Sequence, residues 1–212
     1  MSAVEPQTKA ITAVADAGKE AVKALRDAGG YLARVFGSAP DDLVGYLFGD
    51  RLKVARAEQL ARLAKRVEAI NNERGVEAEA VSRSISIPLL VAASDETRDE
   101  LLEIWARLLA AASDPNRRRH FRIGFIELVK QLDPLDIAMM QEWGVNQKNV
   151  QLSFDGVFTV LAPIINAART EVFASRENLT RLGLLREFPT NYFTLSATGC
   201  ELIAAVSDRK SD

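Results

Sequence analysis

The feature that most limits what this chain can become is an apolar stripe of helical period, closed at each end by stop signals. In SDETRDELLEIWARLLAAASDPNR, residues 94–117, Leu101, Trp105, Leu108 and Ala112 share one face, widened by Leu102, Ile104 and Leu109. Ser94 is expected to cap this helix. Asp95 and Glu96 would follow in its first turn, where the helix dipole favours carboxylates. Asp114-Pro115 ends it. Glu103 and Arg107 form an i,i+4 pair on the expected solvent face, worth about 0.3–0.5 kcal/mol. A second stripe, Leu60, Leu63, Val67 and Ile70, runs along a helix expected over 50–74 and ended by Asn71, Asn72 and Gly75. It has the spacing of a short heptad seam, suited to a core-facing helix or to one seam of a helix-mediated dimer.

The rest of the chain is punctuated in the same way. Ile11, Val14, Val22 and Leu25 mark a weakly apolar helix over 8–28, stopped by Gly29-Gly30. Pro40, Asp41 and Asp42 open another helix, on which Gly45 and Gly49 share a face. The flanking Asp50, Arg51 and Lys53 favour close packing of that face inside a bundle over pairing in a membrane. Pro88 is expected to open a short helix. Phe125, Ile126, Val129 and Leu132 mark an apolar helix, and Asp133-Pro134 with Asp136 starts a further one that Gly144 should end. A helix over 170–182 then stops at Gly183. Residues 184–188 and 192–195 read as a hairpin through Pro189, Thr190 and Asn191, and a last helix is expected over 200–206.

The expected fold class is therefore mainly α, an N-terminal helical bundle followed by a winged-helix-like domain with a short two-stranded wing. Residues 1–30 would form a peripheral amphipathic helix, 31–132 the bundle, 133–207 the winged-helix-like domain and 208–212 a tail.

Composition narrows the chemistry. The formal net charge of −2 over 212 residues gives no overall bias toward nucleic acid or acidic lipid. One cysteine, Cys200, forbids an internal disulfide, and one histidine, His120, forbids a two-histidine catalytic pair or a histidine-rich zinc site. Cys200, in an apolar helix, is expected to be a small core residue. No apolar run approaches the ~20 residues of a membrane span, and the N-terminus does not resemble a secretory signal, so a cytoplasmic location is expected.

Arg117, Arg118, Arg119, His120 and Arg122 make the one basic cluster. It could contact an anion or nucleic acid. The plainer reading, a solvated linker between helices with Asp114 and Glu127 as neighbours, is favoured. The Arg-to-His spacing of HEPN ribonucleases would need an arginine at Pro115, Asp114 or Ser113, so a catalytic role for His120 is not expected. On the helix before the wing, Asn178, Thr180 and Arg181 could reach base edges. From Arg176 onward, however, Arg176, Arg181, Arg186, Arg209 and Lys210 are matched by Glu177, Glu187, Glu201, Asp208 and Asp212. A neutral module binds DNA poorly. Glu96, Asp99, Glu100 and Glu103 read as a solvated helix face rather than a metal site.

ISIPLLVAASDETRDELLEIWARLLAAASDP, then FIELVKQLDPLDIAMMQ, then ENLTRLGLL and YFTLSATG resemble the abortive-infection alpha family. The positions that carry the likeness are Leu101, Trp105, Ala106, Leu108 and Leu109; Leu132, Pro134 and Asp136; Asn178, Leu179, Leu182, Gly183 and Leu184; and Leu195, Ser196 and Gly199. The likeness runs from about Gly29 to Ala205. It implies a bacterial protein of the phage-defence response in which an infected cell stops growing or dies, and it brings no catalytic residues with it.

The resulting expectation is a non-enzymatic defence protein, without cofactor or metal, acting through protein contacts. Its partner would be another protein or a second copy, with Gly45, Gly49, Leu60, Leu63, Val67 and Ile70 as the helix–helix interface. A nucleic-acid-binding winged-helix protein is the alternative. A membrane-perturbing growth-arrest toxin, using helices 8–28 and 40–49, is the second alternative.

Overall fold

The structure is a computed structural model and describes residues 31, 35, 53–146, 152–153, 159, 163, 166–189 and 192–207. The expected helix 8–28 with its Gly29-Gly30 stop, the helix carrying Gly45 and Gly49, and the tail 208–212 lie outside the described residues. The chain divides into two compact units, Met1–Pro115 and Asn116–Asp212. The boundary expected after residue 132 falls within the second. Among the described residues there are seven α-helices and three short strands, so the protein is mainly α.

In the first unit, α1 (Lys53–Arg74), α2 (Arg83–Ser94) and α3 (Asp99–Ser113) pack together, most extensively α1 on α3. Leu101, Ile104, Trp105, Ala106, Leu108, Leu109, Ala110 and Ala111 are all buried on α3. A helix apolar nearly all round belongs in the middle of a bundle, and α3 takes that place. The seam of Leu60, Leu63, Val67 and Ile70 is 3% exposed or less. It faces the unit's own core, which leaves it no surface to offer a second copy.

Gly75, at φ 63°, stops α1. Its N–H donates to Asn72 O at 3.0 Å, and Val76 N–H donates to Asn71 O at 2.9 Å, which closes a Schellman motif. Asn71 does more than end the helix. Buried at 2% exposure, it donates through Nδ2 to Tyr31 Oη at 2.6 Å and Ser113 Oγ at 3.3 Å. With the bond from Val81 N–H to Val35 O at 2.7 Å, it ties the segment holding Tyr31 and Val35 to α1, α3 and the loop before α2.

Two helix starts differ from expectation. Pro88 lies inside α2, which begins at Arg83. The bond that proline cannot donate would fall on Ser84, an exposed residue of the first turn, where water can replace it. Ser94 is the last residue of α2 rather than the cap of α3. Its Oγ donates back to Val91 O at 2.8 Å, the local bond serine makes at helix ends. Glu96 takes over as the acceptor before α3, receiving Thr97 N–H and Arg98 N–H at 3.0 Å each and the Arg98 guanidinium at 2.9 Å. Burial pushes its carboxyl up, but the bonds from Arg98 outweigh that and hold it below its usual value.

Acids and arginines then lock α1 to α3 and to the turn before it. Arg56 pairs with Asp95 at 2.6 Å, and Arg62 pairs with Asp99. Arg66 grips both oxygens of Glu103 at 2.6 and 2.8 Å. Arg107 adds its i,i+4 bond to the same carboxylate at 2.7 Å. Glu103 thus joins Arg66 and Arg107, and through Arg66 reaches Glu73 at 3.2 Å, rather than being one half of a solvent-face pair. The bond from Arg66 holds its carboxyl below the ordinary 4.5, partial burial opposing, with attraction to Arg107 in support.

A carboxyl depressed in the folded state takes up protons more readily when unfolded. Its stabilisation is complete well above pH 4.5 and is lost as pH falls from there through the folded-state value. Glu103→Gln is expected to cost about 1–2 kcal/mol at neutral pH after a discount for solvent screening. The gap to wild type should close in acid. Thermal melts from about pH 7 to about pH 3 check this; a gap that ignores pH would assign the cost to packing.

The second unit starts with a 3-10 turn, Arg118–His120. Then come α4 (Gly124–Val129), α5 (Pro134–Asn146), β1 (Leu152–Ser153), α6 (Arg169–Arg181), β2 (Leu185–Phe188), β3 (Tyr192–Leu195) and α7 (Ala197–Val206). The strands form an antiparallel sheet in the order β1-β3-β2. Leu185 opposes Leu195 and Phe188 opposes Tyr192 across the hairpin, while Leu152 opposes Phe193. The hairpin is the expected wing, and β1 adds a third strand. Its two residues are too few to show a period of two in the sequence.

Gly144 lies inside α5 and does not end it. Helix α7 begins three residues before the expected Cys200, because Ser196 caps it by accepting Gly199 N–H at 3.0 Å. The buried face of α7 is Gly199, Leu202, Ala205 and Val206, so Cys200 falls on the other side and is exposed rather than in the core.

Candidate functional site

The second unit gathers the polar and exposed groups most able to meet another molecule. At the start of α5, Asp136 is 1% exposed. Its Oδ2 accepts Asp133 N–H at 2.9 Å, the return half of a capping box. Ser175 Oγ donates to Oδ1, and Asn178 Nδ2 donates to Oδ2 at 2.7 Å. A serine beside a carboxylate invites a nucleophilic reading. Here Ser175 is itself only 6% exposed and spends its proton on Asp136, so the node fastens α6 to α5.

Of the three side chains expected to reach bases, Asn178 and Arg181 bond to residues outside α6, and Thr180 bonds within it. Asn178 also donates to Gln131 O at 3.1 Å and accepts from Arg181 at 2.6 Å. Arg181 reaches Gln131 Oε1 at 3.4 Å. Thr180 Oγ1 donates to Arg176 O within its own helix at 2.9 Å.

What α6 shows outward is different. Val172, Ser175 and Leu179 face in. Beside them Phe173 is 38% exposed. The Arg176 guanidinium lies 3.9 Å above the centroid of its ring and 4.9 Å from that of the buried Phe193. An aromatic edge stiffened by an arginine plane is a rigid surface feature. In the sequence Arg176 reads only as a charge. The signal was present, since Phe173 and Arg176 are three apart and both fall off the buried stripe.

The basic cluster is split by the fold. Arg117 is half-buried, and its Nη2 donates to the carbonyls of Ala204 and Ser207 at 2.6 Å each. Those carbonyls end α7, where orphan acceptors and the negative dipole end attract a cation. Arg117 is therefore part of the fold's closure. His120 Nδ1 lies 3.3 Å from Glu201 Oε2, and Arg122 Nη2 lies 3.8 Å from the same oxygen. Arg119 Nε donates to His120 Nε2 at 3.2 Å. Glu201, 81 residues beyond His120, is a carboxylate that His120 and Arg122 share. Of the neighbours expected to answer the cluster, Glu127 pairs with Lys130 at 2.8 Å. Asp114 is buried in the first unit. Arg118, Arg119 and Arg122 stay exposed.

Of the acids at 96–103, Glu96, Asp99 and Glu103 each hold an arginine. Among the described residues, no three His, Cys, Asp or Glu come together as a metal-binding group, and no helix is long and apolar enough to cross a membrane.

The family model for abortive infection alpha matches residues 55–205. The chain belongs to the abortive infection alpha family. No curated protein and no solved structure matches it. The positions by which the sequence resembles that family now have physical reasons. Leu101, Trp105, Ala106, Leu108 and Leu109 are the buried spine of α3. Leu132 is buried, Pro134 opens α5, and Asp136 holds α6 through Ser175 and Asn178. Gly183, at φ 70°, ends α6 with its N–H on Thr180 O at 3.0 Å and Leu184 N–H on Leu179 O at 2.9 Å. Leu184 O then accepts Ser196 N–H at 2.9 Å. Ser196 Oγ donates to Gly183 O at 2.6 Å. In this member of the abortive infection alpha family, the letters of the likeness fall on helix ends and packed corners.

Proposed function

We propose that the protein is a non-enzymatic component of the abortive-infection response that acts by protein contact, with the outer face of α6 as the contact surface. Family membership supports the phage-defence context. The observation that carries the mechanism is the exposed Phe173 ring braced by Arg176. Aromatic and arginine side chains supply most of the energy at protein interfaces, and a ring already held in place loses little entropy on docking. The polar groups nearby that could do chemistry or read bases are engaged with one another. The partner is another protein or a second copy, met in the cytoplasm.

Phe173→Ala tests this. Outside the core but stacked under Arg176, the ring should cost stability only about 1 kcal/mol when removed. A lost interface anchor weakens binding by about 30-fold, and phage protection in a plating assay should fall with it. Sedimentation of wild type and variant tells whether the partner is a second copy. Full protection by a stably folded Phe173→Ala protein would end the proposal.

A further inference from the structure

His120 is the chain's one histidine, and each of its ring nitrogens meets a partner of opposite demand. On one side Arg119 Nε donates to Nε2 at 3.2 Å. A guanidinium has donors and no acceptor, so Nε2 must offer its lone pair. On the other side Nδ1 lies 3.3 Å from Glu201 Oε2. A carboxylate only accepts, so Nδ1 must carry the proton. The ring that satisfies both neighbours is the neutral imidazole protonated on Nδ1 alone. Its side chain is 16% exposed, so these two bonds, more than water, decide which nitrogen holds the proton.

The charged groups around the ring come from three places. Arg119 lies on its own turn, and Glu201 lies on α7. Arg122 follows the turn and stands 3.8 Å from the same carboxylate oxygen that His120 meets. Arg117 is held on the carbonyls that end α7, and Arg118 shares the turn.

We infer that His120 is a proton-operated latch on Arg119. When Nε2 takes a proton from solvent, its lone pair is gone. Two N–H donors, each on a cation, then face one another, and Arg119 must leave. The Nδ1–H bond to Glu201 survives. It now joins an imidazolium to a carboxylate and is stronger for it. The turn therefore stays on α7 in both states, while one exposed guanidinium passes from held to free. Histidine is the side chain whose charge changes between about pH 5 and 8, so mild acidification is the signal. The inference uses no residue of α6, so it stands or falls apart from the protein-contact proposal.

Nitrogen NMR of the full chain tests it, and a single histidine makes the assignment immediate. Above about pH 8 the long-range proton–nitrogen pattern should show Nδ1 protonated and Nε2 bare. As pH falls Nε2 gains its proton, and the Arg119 Nε–H resonance should move with the same midpoint. Arg119→Ala removes a donor and a charge that oppose protonation, so the midpoint should rise by about one pH unit. Glu201→Gln removes the anion that favours protonation, so the midpoint should fall by about as much. A melt confirms that each variant folds. A neutral ring protonated on Nε2, an Arg119 resonance that ignores the titration, or a midpoint that either variant leaves in place overturns the inference.

Discussion

Gly199→Ala is expected to destabilise the second unit by about 3 kcal/mol, the upper end of the cost of overpacking, and to lower its melting point by on the order of 10 °C. A Cβ at this position would sit 2.3 Å from the Leu184 carbonyl oxygen and 3.2 Å from its carbon and from a Leu195 methyl. A flexible side chain could swing clear, but a carbonyl cannot. That oxygen also accepts Ser196 N–H at 2.9 Å, so moving it breaks the bond that sets the start of α7. One added methyl would therefore disturb the end of α6, the wing and the cap of α7 together. Thr198→Ala, one residue away and exposed, is the control, with a change within about 0.5 kcal/mol. Calorimetry of both variants checks the claim. Equal melting points would mean that α7 does not approach Leu184 this closely.

Trp105→Ala should cost the first unit about 3–5 kcal/mol, enough to leave much of the protein unfolded at growth temperature. The ring is 1% exposed in the middle of α3, and its removal leaves a cavity lined by helices that cannot close fully around it. Trp105→Phe should behave differently. The indole N–H is buried without an acceptor among the described residues, so this change deletes a donor that is costly to bury. The smaller gap it leaves should be partly offset, for a net cost below about 1.5 kcal/mol. Denaturant melts of the two variants separate these values. A Phe variant as damaged as the Ala variant would show that the indole nitrogen matters and has a partner.

The parts of this architecture that the sequence revealed are those set by local rules. The stripe of α3, the seam of α1, the Asp133-Pro134 start, the Gly75 and Gly183 stops and the wing hairpin each depend on residues within a turn or two of one another. Where a side chain chose between a nearby bond and a distant one, the sequence misled. Ser94 looks like a cap because it precedes acids, yet its hydroxyl finds Val91 O behind it, and Glu96 takes over the turn. Glu103 has a visible partner in Arg107 and an unseen one in Arg66, 37 residues away on another helix. The candidate site was the least legible. Asn178 and Arg181 have the composition of a base-reading helix, and only the arrival of Asp136 and Gln131 from earlier in the chain gives them partners within the protein. Phe173 was readable in principle from its place off the buried stripe, but periodicity alone does not say that an exposed ring is braced by the arginine three residues on.

Arg117 reaches acceptors 87 and 90 residues further along the chain. A nascent polypeptide emerging from the ribosome could form α4, and then α5, while that guanidinium still lacks the carbonyls of Ala204 and Ser207. At ordinary rates of translation the wait is roughly 5–20 s. Closure of this unit therefore waits for those carbonyls, and a chain that stalls before Ser207 leaves the tunnel carries a charged group whose acceptors have not yet been made.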